Sequence, residues 1–200
     1  MKHRNKIGIL GGTFDPVHKG HLEFAKAAYK KCGLDRVLFM PAYLPVFKLN
    51  QQVTPAKRRL EMVQLAVLSV PYFEACDAEL KRKGNTYTID TLRAFSKEMP
   101  NTELFFLVSS DAAQTIKSWK EGDKIANYAH IVTSKRPGSK WAKNFNEESL
   151  DGKFKHILIE DKMLDISSSE IRDAVKSNKP IDKFVESSVA QYIEKNNLYT

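Results

Sequence analysis

The chain has 200 residues, 42% of them hydrophobic, with a net charge of +8 and only two cysteines. This is enough apolar material for one α/β-sized core, while the isolated Cys32 and Cys76 argue against a disulfide framework and fit a reducing cytoplasm. No apolar run approaches the ~18 residues of a membrane span, and the basic Met1–Lys6 stretch leads into a short strand rather than a signal peptide's apolar core. Lys and Arg are spread along the chain without an RNA-recognition or helix-turn-helix pattern, so the positive balance is assigned to phosphorylated substrates rather than to nucleic acid.

Ile7 to Leu10 reads as a buried first strand, and Leu22 to Lys31 carries apolar and Ala positions at helical spacing. Between them runs Gly-Gly-Thr-Phe-Asp-Pro-Val-His-Lys-Gly-His, residues 11–21. Gly11 and Gly12 are expected to turn the backbone sharply and let a ligand approach it. A helix beginning near His18 puts His18 and His21 on one face of its first turn, beside free N–H groups and the positive end of the helix dipole. That is a place to hold a polyphosphate. Neither a dinucleotide-binding Gly-x-Gly-x-x-Gly nor a phosphate loop ending in Gly-Lys-Ser/Thr is present, and no His-Glu-x-x-His suggests zinc.

The motif resembles that of the HxGH nucleotidylyltransferases, and among them the bacterial nicotinate-nucleotide adenylyltransferases. The resemblance implies a Rossmann-like, doubly wound parallel sheet of α/β class in a single domain over 1–200, with the C-terminal helices 168–200 packed as part of it.

Arg36 to Met40 reads as the second strand, stopped by Pro41, and the strand–helix–strand order implies a right-handed parallel crossover. The loop from Pro41 to Lys48 is similar to the family's Pro-x-x-x-Pro-Pro-His-Lys: Lys48 matches, whereas Phe47 replaces the His. Thr54-Pro55 starts a helix running to Ser69. In it Arg59 sits at a family arginine position, although the residues alone equally allow a solvated helix charge. Asp77 to Leu92 resembles the family segment ending in Tyr-Thr-x-x-Thr-Leu, with Lys81 to Gly84 a charged turn and Thr88 near a helix start. Glu103 to Val108 is the most strand-like run, followed by Asp111 at a family aspartate position and by Ser109 where the family has Gly. Trp119 is expected on the next helix. Ala129 to Ser134 is a further strand, Arg136-Pro137-Gly138 matches a family loop, 139–153 reads as a polar loop, and His156 to Ile159 is one more strand. Asp165 to Arg172 resembles the family's Ile-Ser-Ser-Thr-x-Ile-Arg, with Ser168 or Ser169 as helix cap and Arg172 one turn in. The tail from Val189 to Tyr199 reads as packing.

By resemblance, the chain would be an enzyme moving AMP from ATP to nicotinate mononucleotide in NAD biosynthesis, forming nicotinate adenine dinucleotide and pyrophosphate. His18, His21 and Arg172 would carry catalysis. ATP would meet Gly11, Gly12, Thr13, Phe14, Lys48, Asp111, Arg136, Ser168 and Ser169, and the pyridine mononucleotide Tyr87, Thr88 and Trp119. Mg²⁺ would arrive with ATP and leave with pyrophosphate, with no metal ligand assigned to the protein. Cytoplasmic location, no membrane or nucleic-acid partner, and a homo-oligomer left open complete the expectation. Rival readings are an adenylyltransferase for nicotinamide mononucleotide or phosphopantetheine, a non-catalytic nucleotide-binding relative, and a basic RNA-binding module.

Overall fold

The computed structural model describes residues 4–46, 52–134, 156–160 and 163–200, so the expected 139–153 loop lies outside the described residues. In chain order the first half comprises β1 (Asn5–Gly12), α1 (Lys19–Cys32), β2 (Arg36–Pro41), β3 (Leu44–Pro45), α2 (Ala56–Val67), β4 (Phe73–Ala75), α3 (Ala78–Arg82) and β5 (Asn85–Thr86). The second half comprises α4 (Thr88–Glu98), β6 (Thr102–Ser109), α5 (Ser110–Gln114), β7 (His130–Ser134), β8 (His156–Ile159), α6 (Ser168–Lys176) and α7 (Ser187–Lys195). Among the described residues, no helix is long and apolar enough to cross a membrane.

Six strands form one parallel sheet in the order β4-β2-β1-β6-β7-β8, and β3 pairs separately with β5. The chain winds outward from β1 through β2 to β4, then crosses back and winds outward again through β6, β7 and β8. The reversal falls between β1 and β6, which pair from Asn5 opposite Thr102 to Leu10 opposite Leu107. Ligands in such sheets bind beyond the carboxyl ends of the strands at this point.

Strand periodicity divides the core in two. Ile7 and Ile9 face the same side as Leu38, Met40, Leu104 and Phe106, whereas Leu10 faces the other with Val37, Phe39, Phe105 and Leu107. α1, α2, α6 and α7 bury their apolar stripes on the Leu10 side, and α4 buries Ile89, Leu92 and Phe95 on the Ile7 side. Helices on both faces explain why the central strands read as continuous apolar runs rather than as alternating ones.

Candidate active site

A cleft of about 410 Å³ opens at the carboxyl ends of β1 and β6. Gly11, Gly12, Thr13, His18, His21, Thr88 and Trp119 stand on its wall.

Gly11 and Gly12 do not make the expected turn. They remain in β1, paired with Met40 and Pro41 of β2. The chain turns two residues after Gly12, where Phe14 takes a positive φ of 51°. Gly12 serves close approach instead: a Cβ there would lie 3.1 Å from the Phe14 ring. Phe14 itself is buried in the core and off the cleft wall, in contrast to its expected ATP contact. Its ring meets His21 edge-on at 4.9 Å, so it backs the histidine pair.

His18 is the residue before α1, buried, and His21 lies one turn in. Their rings stack with centroids 3.6 Å apart. The His18 amide donates to His21 Nδ1 at 3.2 Å, which leaves Nε2 as the proton-bearing nitrogen of a neutral His21 ring. The helix start offers fewer free amides than expected, because Lys19 N–H donates to the Phe184 carbonyl and His21 N–H to that of His18. Gly20, between the histidines, allows the tight fit: a Cβ there would come within 3.1 Å of His18 Nδ1.

At α6 the cap is Ser167, not Ser168 or Ser169. Its hydroxyl accepts from Glu170 N–H at 3.2 Å while Glu170 Oε2 accepts from Ser167 N–H at 3.0 Å, forming a capping box. This releases the next two serines for other bonds. Ser168 Oγ donates to the Pro16 carbonyl at 2.9 Å, and Arg172 donates to the Asp15 carbonyl at 2.7 Å and to Ser169 Oγ at 3.1 Å. Ser168 and Arg172 are therefore tied to the loop after β1, Ser169 only through Arg172, and all three lie beside the cleft rather than on its wall.

On the opposite side, Thr88 opens α4, and Tyr87, the residue before it, lies off the wall with Lys120 Nζ 4.6 Å from its ring centroid. Trp119 follows a 3-10 turn (Ile116–Ser118) rather than sitting within a helix. Its Nε1 donates to Thr115 Oγ1 at 3.0 Å and its ring lies edge-on to Phe106. Arg93 of α4 grips Glu121 with two bonds of 2.8 and 2.6 Å, tying the Trp119 segment to the helix that carries Thr88. Asp111, in α5, is exposed and off the wall. Ser109 is on the wall, where its hydroxyl accepts from Ala112 N–H at 3.4 Å. Lys48, Phe47 and Arg136 lie outside the described residues.

One residue of the cleft wall, Glu79, escaped sequence reasoning, and for Arg59 the structure decides between two open readings. Glu79 is buried on the cleft wall, where it accepts from Thr91 Oγ1 at 2.7 Å. Burial pushes its carboxyl up, against the opposing pull of Thr91 and Arg82. Nothing in Ala78-Glu79-Leu80 distinguishes it from a surface helix charge. Of the two readings of Arg59, a family arginine position or a solvated helix charge, its exposure of 1% excludes the second. It donates to the carbonyls of Thr54, Thr13, Ala42 and Tyr43, at 2.7, 2.7, 2.6 and 3.1 Å, and so joins the loops that follow β1 and β2. Among the described residues, no cluster of three or more His, Cys, Asp or Glu side chains could hold a metal ion.

The cytidylyltransferase-like family matches residues 9–174. A probable nicotinate-nucleotide adenylyltransferase of Moorella thermoacetica is 40% identical over 200 residues, covering 97% of this chain and 91% of the relative. The nicotinate-nucleotide adenylyltransferase of Bacillus subtilis is 36% identical over 194 residues, covering 97% and 98%. Among solved structures, Plasmodium falciparum nicotinic acid mononucleotide adenylyltransferase complexed with NaAD superposes with a TM-score of 0.76 at 23% identity, covering 98% of this chain and 97% of that one. That likeness establishes the doubly wound fold.

Proposed function

The chain belongs to the cytidylyltransferase-like family and, within it, to the nicotinate-nucleotide adenylyltransferases, and we propose that it transfers AMP from ATP to nicotinate mononucleotide. The observation that carries this reading is the stacked His18–His21 pair at the start of α1, on the wall of a cleft at the β1–β6 reversal.

In the reaction a phosphate oxygen of nicotinate mononucleotide forms a bond to the α-phosphorus of ATP. The bond from that phosphorus to the oxygen bridging to the β-phosphate breaks, and pyrophosphate departs. The nucleophile is already an anion near neutral pH, so no general base is needed. Rate then comes from holding two substrates in line and from donors fixed where charge accumulates on the leaving group. His21 presents Nε2–H to that charge because its Nδ1 is occupied by the His18 amide. Arg172 spends two N–H donors on Asp15 and Ser169, and the rest of its fork serves phosphate oxygens. Mg²⁺ brought in with ATP would supply neutralisation of part of the phosphate charge. Thr88 and Trp119 face the same space, so the indole stacks on the pyridine ring while amides at the start of α4 receive its carboxylate. A cytoplasmic location fits the unpaired Cys32 and Cys76.

The test is purified protein with ATP and Mg²⁺, offered nicotinate mononucleotide, nicotinamide mononucleotide or phosphopantetheine in turn. Pyrophosphate release fastest with the first supports the reading. Preference for phosphopantetheine, or release with none, overturns it.

A further inference from the structure

Asp15 lies in the loop between β1 and α1, buried, and both of its carboxylate oxygens are taken. Tyr199 Oη donates to Oδ1 at 2.7 Å, and the Thr54 amide donates to Oδ2 at 3.2 Å. The main-chain carbonyl of the same residue accepts from Arg172 at 2.7 Å. One residue thus joins the loop after β1, the approach to α2, helix α6 and the segment after α7, with Tyr199 lying 184 positions along the chain. The loop needs such outside support. Phe14 holds a φ of 51°, a region in which a bulky residue stays only when its surroundings impose it.

The tyrosine is built as a donor. Burial and the adjacent Asp15 charge push its phenol far above the ordinary value, so it keeps its proton throughout the working range. Its ring packs against the core beneath α2, and that packing would hold the ring in place without the hydroxyl. The oxygen therefore has a task separate from the ring.

We infer that the Tyr199 hydroxyl is a positioning group for adenylyl transfer: through Asp15 it fixes the carbonyl on which Arg172 rests, and so the direction in which Arg172 presents its remaining donors. The inference rests on the reading of the cleft given above. Tyr199 touches no substrate; its effect passes through Arg172. Without the hydroxyl, a buried carboxylate oxygen loses its partner, and the loop shifts to recover one. A displacement of about 1 Å at a charge-aligning group is worth up to ~10²-fold in rate.

The experiment is a double-mutant cycle in turnover, made well below the melting temperature of every variant. Tyr199→Phe in the parent background is expected to lower kcat about tenfold, with the KM for nicotinate mononucleotide unchanged. In an Arg172→Ala background the same change is expected to alter kcat less than about twofold, because the group it aims is gone. Parental kcat in Tyr199→Phe overturns the inference, as does an equal loss in both backgrounds, which marks a general packing role. Should Tyr199→Phe not fold, Asp15→Asn takes its place under the same two criteria. A parent protein that releases no pyrophosphate refutes the functional reading itself, an outcome distinct from an active parent with an indifferent Tyr199.

Discussion

Replacing Arg59 by methionine separates a structural arginine from a surface one. Methionine retains most of the stem's volume and removes the guanidinium, leaving the carbonyls of Thr13, Ala42, Tyr43 and Thr54 without their shared donor. Hydrogen bonds from a charged donor are worth about 1.5–3 kcal/mol each, so these bonds sum to roughly 6–12 kcal/mol before offsets. The offset is burial of the cation. It lowers the Arg59 pKa against the favourable charges of Asp15 and Glu79, and it costs several kcal/mol for an ion withdrawn from water. The net loss is expected at about 3–5 kcal/mol, a large part of the ~5–15 kcal/mol that holds a domain folded. For a chain of this length it lowers the melting temperature by roughly 6–20 °C. Urea unfolding followed by circular dichroism measures it. Arg59→Lys should fall between parent and Arg59→Met, since an ammonium keeps the charge but cannot span the same set of carbonyls. A loss below about 1 kcal/mol for Arg59→Met would refute the reasoning, because it would mean that water replaces the guanidinium without cost.

Gly20→Ala should leave the melting temperature near the parental value, since alanine's helix preference of about 1 kcal/mol offsets the 3.1 Å contact with His18 Nδ1, yet lower kcat about tenfold by displacing that ring. Parental turnover in this variant would show that the ring's place is not critical. The Glu121 carboxyl is pulled down to about 2, first by Arg93 and then by Lys124, so its contribution is fully present above the ordinary carboxylate range and lost as pH falls toward that value. The melting-temperature gap between parent and Glu121→Gln should therefore be constant above about pH 5 and shrink below ~4.3, the ordinary Glu value; a gap that widens on acidification would contradict the assignment. On substrate choice, parent catalytic efficiency should favour nicotinate over nicotinamide mononucleotide by ~30–150-fold, about 2–3 kcal/mol, because main-chain N–H groups match a carboxylate and oppose an amide's NH₂. Trp119→Ala should weaken both substrates while keeping most of that ratio, and equal use of the two by the parent would refute the carboxylate site.

The parts of the fold legible in the sequence were those long enough to show a period. β1, β2, β6, β7 and β8 appear within about two residues of the apolar runs that announce them, as expected where both faces of a sheet are buried. The sheet's outer strand β4 and the small β3–β5 pair have three and two residues per strand, too few for an alternation to emerge. They exist because their neighbours offer unpaired backbone, which is a tertiary cause. α3 was likewise hidden, since a five-residue helix containing Glu79, Lys81 and Arg82 has the composition of a charged turn.

The site divides in the same way, between what spacing fixes and what only contact fixes. His18 and His21 could be placed together because a three-residue separation at a helix start leaves few other arrangements, and their stacked rings stand where that geometry puts them. The cap falls at Ser167, one or two residues before the expected Ser168 or Ser169, because three serines in succession all satisfy a cap's chemistry. What selects Ser167 is Glu170 three residues on, which closes a reciprocal pair of bonds only with that serine. The glycines were misread for a related reason: Gly-Gly marks backbone that must lack a side chain, and a turn and a close ring contact make the same demand of the sequence. For the Tyr199 hydroxyl no local signal exists, and at Arg59 the residues alone leave a solvated helix charge as open as a family arginine role. The partner of Tyr199 lies 184 residues away, and the four acceptors of Arg59, at separations of 5, 16, 17 and 46 residues, are all main-chain carbonyls, which every residue type supplies. A residue whose partners are carbonyls leaves no mark in the identity of those partners, so the ties that hold the loop at Thr13 to Pro16 become visible only once the sheet has brought its surroundings together.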